Sequence, residues 1–67
     1  MQVTLKAARI NAKLTQEQAA SRFHVSKYTV GNWEKGKSFP DANQIKLIEE
    51  AYGVGYNDII FLPQNHA

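Results

Sequence analysis

The sequence predicts an all-α domain of five short helices with no sheet. Apolar residues recur at helical spacing in successive short segments, capping patterns stand in front of three of them, and no run alternates convincingly at period two. The chain of 67 residues is long enough for one small core and too short for two. Cysteine is absent, so neither disulfides nor a thiolate zinc site can hold the fold, and stability rests on apolar packing.

The first helix is expected over 4–12, where Leu5, Ala8 and Ala12 fall on one face. Thr15 then stands as an N-cap with Gln18 three residues later, a capping box that opens a second helix over 16–23. Ala19, Ala20 and Phe23 give that helix a stripe on which a neighbour can approach closely. His24-Val25-Ser26 is too short for an independent loop, and Ser26 caps a third helix over 27–35, so the two helices must cross steeply. Gly36 occupies the position where a helix ends in left-handed backbone. After the connection 37–40, Asp41 with Gln44 forms another capping box before a helix running to about residue 52. Its core stripe is Ile45, Ile48 and Tyr52, flanked by Leu47 and Ala51, and Gly53 ends it. A short fifth helix is expected over 56–61 and a frayed tail over 63–67, which leaves 1–62 as the folded domain.

The net charge of +2 conceals an asymmetry. Through Lys37, seven basic residues face only Glu17 and Glu34, a balance of +5; from Ser38 onward, Lys46 faces Asp41, Glu49, Glu50 and Asp58, a balance of −3. A basic half joined to an acidic half suits a domain that presents one face to a polyanion, and equally suits an uneven solvated surface. Catalysis finds no support, because no acidic pair stands beside an evident base or nucleophile. No metal or cofactor is implied, His24 reading as a turn residue and His66 as a tail residue. The longest aliphatic and aromatic run, 59–62, is far too short to span a membrane, and no leader-like stretch stands at the amino end, so a soluble cytoplasmic protein is expected.

Two helices joined by so short a turn form the helix-turn-helix arrangement, in which the second helix enters a DNA major groove while the first crosses the backbone. The residues Leu14-Thr15-Gln16, Ala20, Val25-Ser26, Thr29-Val30, Trp33-Glu34, Gly36-Lys37 and Pro40 sharpen that reading. Position by position they resemble the DNA-binding domains of the Cro and cI phage-repressor family. The likeness continues through Ile45, Ile48 and Tyr52-Gly53-Val54 to Asp58-Ile59-Ile60, nearly the whole chain. It implies a compact lambda-repressor-like fold and a sequence-specific transcriptional regulator of double-stranded DNA, similar to a phage or prokaryotic repressor. Such domains bind inverted repeats as homodimers. Tyr56, Ile60, Phe61 and Leu62 are the candidates for pairing two copies, unless they pack within their own chain.

On the third helix, Lys27, Tyr28, Gly31 and Asn32 share one stripe, with Thr29 at its edge, opposite Val30 and Trp33. The resemblance makes these five the base-reading positions. The Asn32 amide can pair with adenine N6 and N7, and Lys27 can donate to guanine O6 and N7. Tyr28 offers a hydroxyl to a phosphate or base edge and a ring to a thymine methyl. Gln16 stands at the first turn of the second helix, where free N–H groups and the helix dipole favour a phosphate, and the family's matching glutamine clamps the DNA backbone. Thr15, Ser26, Lys35, Lys37 and Ser38 are further phosphate candidates.

The resemblance also implies a partly buried ion pair between Arg9 and Glu34, tying the first helix to the end of the third. His24 stands where the family usually has glycine, at a position expected to need positive φ, and Lys13 replaces another frequent glycine. Gly31 costs roughly 1 kcal/mol relative to alanine inside a helix. Facing the groove, its missing side chain would let the backbone approach the bases; drift at an exposed site is the alternative. The same fold can serve as a protein-interaction module such as an antitoxin or adaptor, but the polar stripe favours DNA.

Overall fold

Four short polar side chains start the four α-helices. Thr4 accepts a hydrogen bond from the Ala7 N–H at 3.1 Å in front of α1, Leu5–Asn11. Thr15 and Gln18 bond each other's backbone N–H in a reciprocal box before α2, Gln16–Phe23. Ser26 accepts from the Thr29 N–H at 3.1 Å before α3, Lys27–Lys35. Asp41 and Gln44 repeat the box before α4, Ala42–Tyr52. Each such cap stabilises its helix by about 1 kcal/mol. These elements belong to a computed structural model that describes residues 2–62; the expected tail over 63–67, His66 included, lies outside the described residues.

The helix ends are set by left-handed backbone. α2 closes on His24 (φ 58°), α3 on Gly36 (φ 76°) and α4 on Gly53 (φ 67°). The two glycines adopt that region freely. His24 takes the positive φ expected of it, and Lys13, at φ 62° after α1, takes it too; a side chain there costs roughly 1 kcal/mol each.

The last segment departs from the expected fifth helix. Tyr56–Asp58 makes a single 3₁₀ turn, and Ile59–Ile60 is a strand, β2, paired in parallel with β1, Val3–Thr4. The register sets Val3 beside Ile59 and Thr4 beside Ile60. Four α-helices and a two-stranded sheet therefore replace five helices and no sheet. Ile59 is buried at 7% exposure and Ile60 is 42% exposed, the alternation of a strand, and two consecutive β-branched residues favour extended backbone. The first helix is also shorter than expected, because Thr4 belongs to β1 and caps α1 while Ala12 is its C-cap.

Every element except β1 and the 3₁₀ turn contributes to one buried core: Leu5 and Ala8 from α1, Ala19, Ala20 and Phe23 from α2, Val30 and Trp33 from α3, Ile48 and Tyr52 from α4, and Ile59 from β2. Phe23 sits at its centre, 6.1 Å from the Trp33 ring and edge-on to Tyr52 at 5.4 Å. Ala19 and Ala20, without bulk of their own, bring α2 close to its neighbours. Ile45, expected in the core stripe, is only half-buried, as are Val25, Leu47 and Ala51.

Burial raises the Tyr52 phenol well above the ordinary tyrosine value, the Glu34 charge adds to the rise, and Arg9 opposes it. Near pH 10, where a tyrosine of the unfolded chain ionises, the folded phenol keeps its proton. The unfolded state then binds fewer protons than the folded one, so stability falls as pH rises beyond that point. Tyr52→Phe is expected to flatten this alkaline decline in urea titrations taken on either side of about pH 10. An equally steep decline in the variant would assign it elsewhere.

Candidate nucleic-acid interface

α2, the turn His24-Val25-Ser26 and α3 are fastened into one unit. The Val25 N–H donates to the Ala20 carbonyl at 3.0 Å, and Phe23, Val30 and Trp33 bury the shared inner face. The outer face of α3 is thereby left to solvent. Lys27, Tyr28, Gly31, Asn32 and Lys35 line an open groove there with Gln16 of α2, enclosing about 380 Å³. Tyr28 is 77% exposed, a large aromatic ring that the fold does not use.

Four of the five expected base readers thus share one groove. Thr29 is half-buried, with its hydroxyl 3.0 Å from the Ser26 hydroxyl at the start of the helix. Among the phosphate candidates, Gln16 and Lys35 line the groove, whereas the hydroxyls of Thr15 and Ser26 are engaged as caps. Lys37 and Ser38 are exposed in the connection after α3 and do not line it. Glu17, to which the sequence reading gave no role, faces Lys27 across 3.9 Å with both side chains exposed.

Beneath the groove lies a charged cluster. Arg9 Nε donates to Glu34 Oε2 at 2.7 Å, its Nη2 to Oε1 at 3.3 Å, and its Nη1 to the Leu14 carbonyl at 2.9 Å. The Arg9 and Glu34 side chains are only 10% and 6% exposed. The hydrogen bond to Glu34 raises the Arg9 pKa above its ordinary value, against the opposing effect of desolvation. Gln16 joins the cluster, its Nε2 donating to Glu34 Oε1 at 3.0 Å. Sequence reasoning missed this contact, because periodicity within one helix says nothing about which side chains meet between two.

Gly31 lies beside that amide. A Cβ added there would meet Gln16 Nε2 at 3.8 Å, an ordinary contact, and the backbone is not in the left-handed region. The fold itself does not require glycine at this position. Gly31→Ala is accordingly expected to raise stability by about 0.5–1 kcal/mol in denaturant titration. A less stable variant would show that the interior of α3 depends on the missing side chain.

A second, apolar surface lies in the acidic half of the sequence. Phe39, Pro40, Ile45, Tyr56 and Phe61 line a groove of about 300 Å³. Phe61 meets Phe39 edge-on at 6.2 Å and Tyr56 at 5.6 Å. Of the four residues considered for pairing two copies, Tyr56, Ile60 and Leu62 are exposed and Phe61 is half-buried. Among the described residues no group of His, Asp or Glu side chains could hold a metal ion, and no helix is long and apolar enough to cross a membrane.

A profile of the helix-turn-helix family matches residues 5–59, from the start of α1 into β2. The chain is similar to the HTH-type transcriptional activator BcrR of Enterococcus faecalis, 32% identical over 56 residues. Those residues make up 84% of this chain but 28% of that protein, so the chain spans less than a third of its relative's length. No solved structure matches.

Proposed function

The chain belongs to the helix-turn-helix family of the XRE type, and on that premise we propose that it is a sequence-specific double-stranded-DNA-binding regulator of transcription that reads the major groove with α3. The observation that carries this reading is the groove in which Gln16 and Lys35 flank Lys27, Tyr28, Gly31 and Asn32. Donors for phosphate stand there beside donors and acceptors for base edges, the two kinds of contact that position and specify. An apolar stripe on α3 would have favoured a protein partner.

One copy offers one nine-residue helix to the groove, and a homodimer on an inverted repeat, with half-sites ~34 Å apart, would double the contacts. The Phe39, Tyr56 and Phe61 surface, with Ile60 and Leu62 exposed beside it, is the proposed dimer contact. The Cro and cI resemblance points to repression and the relative's name to activation. Either outcome uses the same docked domain, and what the bound protein blocks or recruits decides the sign.

Selection of bound sequences from a random duplex pool, repeated at two salt concentrations, tests the reading. An inverted repeat should be recovered, with affinity falling steeply as salt rises. Recovery of no motif, with weak and salt-insensitive binding, would overturn it.

A further inference from the structure

We propose that Glu34 is a positioning residue for DNA binding: its carboxylate, held by Arg9, presets the Gln16 amide to donate to a phosphate. The inference rests on the DNA-binding reading and adds a role that an ion pair alone does not have. Glu34 Oε1 receives both Arg9 Nη2, at 3.3 Å, and Gln16 Nε2, at 3.0 Å. A carboxylate only accepts, so the amide must face it with an N–H, and that fixes which end of the amide points inward. The second N–H and the carbonyl oxygen of Gln16 take no partner among the described residues, and Gln16 lines the groove.

Three features hold the amide in place. Thr15 caps α2 one residue earlier and fixes the Gln16 backbone. Glu34 stands one turn beyond Gly31 on α3, with its Oε1 3.0 Å from Gln16 Nε2. Arg9, which also grips the Leu14 carbonyl, holds the carboxylate in place at 2.7 Å. A free glutamine would lose rotamer freedom on meeting DNA; here that ordering is complete beforehand. Arg9 also offsets the negative charge that Glu34 would otherwise bring close to a phosphate.

A binding cycle separates this role from a merely structural one. The probe is a fluorescent random-sequence duplex, because a phosphate contact is indifferent to sequence, and each protein is measured below its own melting transition. Gln16→Ala should weaken binding about tenfold, as expected for a hydrogen bond to a charged group. The double variant Arg9→Met with Glu34→Leu removes both charges together, a replacement that commonly leaves stability intact. It should fold yet bind about as weakly as Gln16→Ala, and adding Gln16→Ala to it should cost no more than about twofold further. Undiminished binding by the double variant, or the same loss from Gln16→Ala in both backgrounds, would overturn the proposal.

The unaltered protein supplies a measurement that depends on no variant. ¹⁵N relaxation should find the Gln16 side-chain amide ordered in the absence of DNA, whereas an order parameter below about 0.6 would overturn the proposal. If the unaltered protein fails to bind the duplex, the DNA-binding reading falls and takes this role with it. If it binds and the cycle is additive, only the positioning role falls.

Discussion

Glu34→Ala is expected to lower the melting temperature by about 10–20 °C. The truncation leaves the Arg9 guanidinium, 8% exposed as a residue, beside an emptied site with the Leu14 carbonyl as its remaining acceptor. Breaking a buried ion pair by removing one partner costs about 3–5 kcal/mol, and the slight exposure of both side chains places this case near the lower figure. A domain this small has a total stability of only ~3–10 kcal/mol, with each kcal/mol worth about 4–8 °C. Removal of both charges together should cost far less than removal of one. A Glu34→Ala melt that coincides with the parent's would show that the pair carries little of the fold.

The second large effect concerns specificity. Asn32→Ala is expected to erase preference at one operator position, a loss of about 1–3 kcal/mol of discrimination there, while binding elsewhere in the site stays selective. The amide lies on the groove-facing side of α3 with Tyr28 one turn before it. Gln16→Ala, in contrast, should weaken all sequences alike without altering the dependence on salt, since glutamine displaces no counterion. Lys35→Ala should reduce the slope of log affinity against log salt by about one. Titration of a selected operator and its single-base variants at several salt concentrations separates the three. A uniform loss from Asn32→Ala would remove it from the base-reading set.

The helices were legible in the sequence where their signals are local. Thr15 with Gln18, Ser26, and Asp41 with Gln44 each act within three residues, so the starts of α2, α3 and α4 could be placed without knowing the rest of the fold. Thr4 hid its capping role because the residue before α1 also pairs with β2, an element that no local pattern announced. The stretch 56–61 conceals its 3₁₀ turn and strand for a related reason. A short apolar run is ambiguous between helix and strand, and the choice was made by a partner far away in the chain.

The candidate site divides along the same line. The stripe of Lys27, Tyr28, Gly31 and Asn32 follows from helical periodicity, and the groove has those residues as neighbours. The contact between Gln16 and Glu34 joins residues 18 positions apart on two helices, and depends on how closely α2 and α3 approach. Residue types alone do not give that distance. Gly31, conspicuous in the sequence as a weak helix former, lies beside the Gln16 amide with room for a methyl group, which residue types alone do not give either.

The pairing of β1 with β2 has a mechanical consequence. It joins residues 56 positions apart, Val3 to Ile59, and does so in parallel. Residue 2 therefore leaves the ladder at one end and residue 61 at the other. A tension applied across the domain between these two points runs along the strands in opposite directions and loads both residue pairs in shear, at the same moment, instead of peeling them apart in turn. The ladder is a clasp set across the line of pull, and the buried Ile59 anchors it in the core between the helices.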